Sequence, residues 1–263
     1  MESVEGARSF HASGEAYDLF MGRYSRPLAG VFADAAGILP GQRALDLGCG
    51  PGALTSELVA RLGAEAVCAV DPSPEFVQDC AARNPGVDVR LGQAESIPFG
   101  DGEFDAALAQ LVLHFVSDPP FAASEMRRVV RPGGTVAACV WDFAEEMRML
   151  RLFWDAALTI DPSAPDEART LRFSREGELS GLLSESGLSE VVETTLSVES
   201  SYSGFDELWA GFLQGIGPAG WFCLSLADDR RELLRTELFR RLGSPSGGFT
   251  LPAKARCATG RVP

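Results

Sequence analysis

An α/β architecture, doubly wound around a mostly parallel seven-stranded sheet with one antiparallel edge strand, is predicted from three observations. Between residues 43 and 141 short apolar runs alternate with amphipathic stretches, the pattern of strands joined by crossover helices. The first run leads into a glycine-rich turn, Gly48-Cys49-Gly50-Pro51-Gly52, where a strand hands over to a helix. Two alternating runs, 191–201 and 249–262, then add strands that each expose one face.

The elements follow in order. Tyr17, Phe20, Met21 and Tyr24 recur at three-to-four spacing and predict a helix over 14–29, with a second over 28–36 before the turn Leu39-Pro40-Gly41. Strand one is 43–47, and the helix over 53–62 buries Leu54, Leu58, Val59 and Leu62. Strand two, 66–71, ends at Asp71, after which Ser73 caps a helix through Ala82. Strand three is 87–91, and strand four, 104–113, follows the turn-rich Gly100-Asp101-Gly102-Glu103. A helix over 119–130 stops at Arg131-Pro132-Gly133-Gly134, and strand five is 135–141. Beyond Asp142, helices are predicted at 143–160, 176–186, 205–213 and 228–242, with a loop at 161–165. The sequence holds no internal repeat and no low-complexity tract.

With 263 residues and 46% apolar composition, the chain can bury a full core. No run approaches the roughly 20 apolar residues of a membrane span, and the early acids Glu2 and Glu5 argue against a secretion signal, so a cytoplasmic protein is expected. Net charge is −14 and Lys254 is the only lysine, a balance that disfavours binding to phosphate backbones. None of the six cysteines forms a C-x-x-C pair, and His11 and His114 are the only histidines, so no metal site is predicted.

Chemistry concentrates at the carboxyl ends of the strands. Bare glycine backbone after strand one either makes an ordinary tight turn or lets a ligand approach the helix N-terminus. Asp71, 23 positions beyond Gly48, is either the N-cap of the next helix or a carboxylate that accepts both ribose hydroxyls. The pair together points to a nucleoside site. The spacing Asp46-x-Gly48-x-Gly50-x-Gly52 departs from the Gly-x-Gly-x-x-Gly of dinucleotide enzymes. An acid at Asp46 suits a ligand whose tail carries an ammonium group, as S-adenosylmethionine does, better than a pyrophosphate.

Asp46 to Gly52 resembles the first motif of the class I S-adenosylmethionine-dependent methyltransferases, whose fold is Rossmann-like. Ala69-Val70-Asp71 is similar to their ribose-binding strand end, and 92–99 to their adenine-contacting segment. Residues 104–115 resemble their fourth strand, and Arg131-Pro132-Gly133-Gly134 the turn before their fifth. The pattern is nearest to small-molecule enzymes such as those of quinone biosynthesis; it covers about 15–142 and is thin thereafter. Residues 1–12 are expected to be flexible; the resemblance implies one methyltransferase domain over 13–263, with a lid at 13–36, a cofactor-binding core at 40–142 and substrate-side elements at 143–263. It implies methyl transfer by in-line displacement to a small-molecule acceptor, possible alternatives being a non-catalytic cofactor-binding module or an NAD-dependent oxidoreductase.

On that resemblance Gly48, Cys49 and Gly50 contact the methionine part by backbone, Asp71 and Pro72 hold the ribose and flank the adenine, and Gln110 and Leu111 lie beneath the sulfonium. Ala94 and Glu95 lie at the adenine edge, unless Glu95 merely closes a short turn. Phe20, Tyr24, Phe115 and Trp141 are candidates to face the sulfonium, Tyr24 foremost because 17–25 resembles a lid segment. Arg23 either pairs with the methionine carboxylate or is a solvated surface arginine. His114 is a candidate general base or a structural histidine at the strand end, and Asp142 is a second, weaker candidate base. The aromatic set Trp154, Phe205, Trp209, Phe212, Trp221 and Phe222 either lines an apolar acceptor pocket or packs between helices.

Overall fold

Seven strands form one sheet in the order β3-β2-β1-β4-β5-β7-β6, in a computed structural model that describes residues 14–263. The flexible lead expected over 1–12 lies outside the described residues. The strands are β1 (Ala44–Leu47), β2 (Val67–Asp71), β3 (Asp88–Leu91), β4 (Phe104–Gln110), β5 (Val130–Trp141), β6 (Ser189–Tyr202) and β7 (Phe249–Arg261). Neighbours among β1 to β5 pair in parallel, and β7 runs antiparallel to both β5 and β6. The predicted sheet is thus present; its antiparallel strand sits one place in, with β6 outermost. Strand order reverses between β1 and β4, which opens a crevice at their carboxyl ends.

Period-two geometry splits β1 between two cores. Leu45 and Leu47 pack with Ala122, Met126 and Val129 of α5 (Pro119–Val129) and with Leu179 and Leu183 of α8 (Glu178–Glu185). Ala44 belongs to the opposite face, under α2 (Arg23–Ala35), α3 (Ala53–Leu62) and α6 (Arg148–Ile160). Full burial of Leu45 and Leu47 contributes about 1.5–3 kcal/mol each.

Three departures from the sequence reading shape the crevice. β4 stops at Gln110 because Leu111 takes a left-handed φ of +62°. α6 begins at Arg148 because Asp142 organises the turns before it: its Oδ1 accepts the Glu145 N–H, and its carbonyl accepts those of Glu146 and Met147. The predicted second helix of the lid is one continuous run with the first, α1 (Gly14–Tyr17), a π-helical turn (Asp18–Gly22) and α2. The sequence pattern does not predict the short α7 (Glu167–Thr170) or α10 (Gly217–Ser225); α4 (Pro74–Arg83), α9 (Phe205–Phe212) and α11 (Asp228–Arg241) complete the α-helices among the described residues, and a 3-10 turn spans Ala64–Ala66. Among those residues no helix is long and apolar enough to cross a membrane.

Candidate active site

A cavity of about 630 Å³ opens at the carboxyl ends of β1, β2 and β4. Its walls come from the glycine turn, the β2 end, segment 92–95, the β4 end with 111–118, the lid, and elements beyond β5. Five carboxylate residues line it, Asp46, Asp71, Glu95, Asp118 and Glu167, and among the described residues no Lys or Arg does.

The turn after β1 is held from within. Val70 O accepts the N–H groups of both Gly48 and Cys49, at 2.7 and 3.0 Å. Asp71 is 5% exposed and spans the crevice: Oδ2 accepts the Gly50 N–H at 2.8 Å and Oδ1 the Ser73 N–H at 2.9 Å. Burial raises its pKa against these two bonds. Gly48 has φ +70°, and a Cβ there would stand 2.4 Å from Val112 Cγ2, so only glycine lets the turn close on the β4 end. The expected backbone contacts from Gly48, Cys49 and Gly50 therefore cannot be N–H donation, since those donors are spent inside the fold; a ligand at this turn meets carbonyl oxygens and bare Cα.

Asp46 sits 1% exposed on the α3 side of β1. Thr55 gives its Oδ2 a hydroxyl at 2.6 Å and supplies a backbone N–H besides, while Oδ1 has no partner among the described residues. Burial pushes its pKa up to about 7. At the β4 end, Gln110 donates to Ser25 O at 3.0 Å and leaves Oε1 unpartnered among the described residues. His114 lies between Phe115 and Phe143, ring centroids at 4.0 and 5.3 Å, with Nδ1 likewise unpartnered. Burial alone drives its pKa down to about 3, so the imidazole is neutral at ordinary pH. Ala94, Pro72 and Leu111 line the cavity. Glu95 does too, but its Oε1 accepts the Ser117 and Asp118 N–H groups, so that oxygen closes the 114–118 turn.

Residues 45–138 match the family described as a methyltransferase domain. The chain is 33% identical over 184 residues to an uncharacterized protein of Mycobacterium tuberculosis, covering 67% of this chain and 64% of that one. It is 39% identical over 104 residues to a demethylmenaquinone methyltransferase of Renibacterium salmoninarum, 40% of this chain and 43% of the relative. In fold it is similar to the YcgJ protein of Bacillus subtilis, with a TM-score of 0.58 at 18% identity over 89% of this chain and 97% of the other. Residues 45–138 are thus a methyltransferase domain, and the sheet around them has the fold of the neighbouring structure. The chain matches between 33% and 64% of the length of the first curated relatives.

Several residues expected at this methyltransferase site lie elsewhere. Tyr24 is fully buried, its hydroxyl 3.2 Å from that of Tyr202 and 3.4 Å from Leu251 O, and it is not on the cavity wall. The π-helical turn is the reason: its wider winding rotates everything after Gly22, so Tyr17, Phe20 and Met21 face the cavity and Tyr24 faces the sheet. Arg23 also points away, bonded to Glu207 and stacked 3.9 Å over the Tyr202 ring. Asp142 is held by Arg256 at 3.0 Å. Phe153 and Phe212 stack at 4.3 Å, and Trp154, Phe205, Trp209 and Phe222 join that inter-helix cluster, whereas Trp221 is exposed; none of them lines the cavity. The cavity lining beyond the glycine turn instead includes Phe115, Trp141, Phe143, Leu150, Ile216 and Glu167.

Proposed function

We propose that the chain transfers a methyl group from S-adenosylmethionine to a small-molecule acceptor, the cofactor leaving as S-adenosylhomocysteine. The observation that carries this reading is the polarity of the cavity. Acidic residues line it, no Lys or Arg does so among the described residues, and Asp46 Oδ1 and Gln110 Oε1 are buried acceptors in want of donors. A ligand with an ammonium group and a sulfonium answers that demand. A pyrophosphate does not, because the α3 N-terminus already receives the Asp46 carboxylate and the N–H groups of Gly48, Cys49 and Gly50 are taken.

On this reading Asp46 and Gln110 hold the methionine end, the glycine turn lets it lie against bare backbone, and Asp71 takes the ribose with the lone pairs its two bonds leave free. Pro72, Ala94 and Leu111 pack the adenosine. The bound cofactor supplies an electrophilic methyl group. Phe20, Phe115 and Trp141 exclude water and offer ring faces that favour a cation over hydration. Alignment can lower a barrier by roughly 7–11 kcal/mol, against about 3–5 kcal/mol for one general base. A histidine with a pKa of about 3 is a poor proton sink, so His114 is assigned an orienting role through Nδ1. The net charge of −14 and the cavity's acidity support a small molecule over nucleic acid as acceptor. The cavity's continuation to Leu150 and Ile216 supports an enzyme over a closed cofactor-binding module.

Thermal unfolding with added ligand tests the reading. S-adenosylmethionine and S-adenosylhomocysteine at a hundred times their Kd should each add about 2.7 kcal/mol of stability, and NAD none. Stabilisation by NAD alone would overturn the proposal. Formation of S-adenosylhomocysteine with a panel of small-molecule acceptors tests turnover.

A further inference from the structure

One titratable group of the cavity has no part in holding the cofactor. Glu167 opens α7, is 3% exposed, and lines the cavity. Its Oε2 accepts the Trp154 Nε1–H at 2.7 Å, and Oε1 has no partner among the described residues. The carboxylate does not wander. Arg151 grips the preceding Asp166 through two bonds of 3.1 and 3.0 Å, and Asp166 caps α7 by accepting the Ala168 N–H at 3.0 Å. A buried carboxyl in apolar surroundings is costly unless something repays it. Burial, reinforced by the neighbouring Asp166 charge, pushes its pKa up to about 7.

We infer that Glu167 is the acceptor anchor: its free Oε1 takes a hydrogen bond from an O–H or N–H on an otherwise apolar, ring-sized molecule. This rests on the methyltransferase reading above and adds the class of acceptor. Among the acids of the cavity, Asp46, Asp71, Glu95 and Asp118 each already bond to the glycine turn, α3, the loop leading into α5, or α5 itself. Glu167 alone bonds instead to α6, through Trp154, and shares the cavity lining with Phe143, Leu150 and Ile216 from elements beyond β5. It is a specificity-determining residue, and no proton transfer is assigned to it.

The test is calorimetric titration of the full chain saturated with S-adenosylhomocysteine, using para-butylphenol and its methyl ether, para-butylanisole. The two share the same ring and alkyl chain, but only the phenol donates. Titrated above about pH 8, where Glu167 is charged, a hydrogen bond to the carboxylate predicts about tenfold to a hundredfold tighter binding of the phenol. In Glu167→Gln the indole N–H of Trp154 can only donate, so it claims the amide oxygen and turns the NH₂ toward the cavity. The phenol preference should then fall to about one or invert, with S-adenosylhomocysteine affinity unchanged. Equal affinity for the two probes in the native chain, binding of neither, or a preference retained in Glu167→Gln each overturns the inference; the native comparison stands whether or not the variant folds. A chain that fails to take up S-adenosylhomocysteine sinks the methyltransferase reading and this with it, whereas uptake without discrimination sinks this alone.

Discussion

Replacing Asp71 by alanine should damage stability and cofactor binding by separable amounts. In the folded chain its two oxygens accept the Gly50 and Ser73 N–H groups at 2.8 and 2.9 Å from a site only 5% exposed. Alanine leaves two donors at the strand ends without a partner, at about 1–3 kcal/mol each, for a loss of about 2–6 kcal/mol. Against a typical 5–15 kcal/mol of stability the variant still folds, but measurably less well. Urea unfolding with and without S-adenosylhomocysteine separates the effects. At a concentration where the native chain gains about 2.7 kcal/mol, a variant binding tenfold more weakly gains about 1.4 kcal/mol. An equal ligand-induced gain in both chains would remove Asp71 from the ribose. An unchanged midpoint without ligand would show that its two bonds do not organise the turn.

Three further outcomes are expected. Because burial raises the Asp46 pKa to about 7, a ligand ammonium must displace a proton below that pH. S-adenosylhomocysteine should therefore bind up to tenfold more tightly per pH unit as pH rises toward about 7, with proton release seen by calorimetry in two buffers, and Asp46→Asn should flatten the dependence. His114 is shifted the other way, to about 3, so its contribution to stability is present above the unfolded value of 6.5 and is lost as pH falls through that window. His114→Phe, which keeps a ring between Phe115 and Phe143, should lose less stability on acidification, and a rate limb near pH 6.5 that vanishes in this variant would instead restore the histidine as a base. Tyr24→Phe should cost about 0.5–1.5 kcal/mol by removing its bond to Tyr202 and leave S-adenosylhomocysteine affinity unchanged; a tenfold loss would return the hydroxyl to the site.

The parts legible in the sequence are those whose cause is local. Leu45-Asp46-Leu47 followed by spaced glycines reads as a strand and turn and folds as one here, and Asp71 sits at a strand end that the apolar run 66–71 locates. The lid was legible as a helix but not in its facing, since a single π-helical turn alters which residues share a side. A signal exists in the chain: Gly22, whose missing Cβ gives the Asp18 side chain room, since a Cβ there would lie 2.6 Å from Asp18 Oδ1. Asp18 uses that room to reach Arg26 and Arg83. Glu167 was passed over because 161–177 carries no periodicity. Its cue was Asp166, a capping residue ahead of Glu-Ala-Arg, which marks a helix start too short to register as one.

The charge of the cavity could not be read from any one segment, because it is set by where the arginines go. Composition says only that acids outnumber bases. The fold disposes of the nearby cations one at a time: Arg151 on Asp166 and Asp155, Arg256 on Asp142, and Arg23 on Glu207 with its guanidinium over Tyr202. Each of these pairs neutralises an arginine against an acid that does not line the cavity, so Asp46, Asp71 and Glu167 keep their field. Low-dielectric walls of Phe20, Phe115 and Phe143 then make that field felt at a distance where water would have quenched it. On the proposed reading the preference for a cationic ligand is a property of the tertiary structure: removing any one acid should weaken it by a part, and freeing one of these arginines to swing inward should weaken it as well.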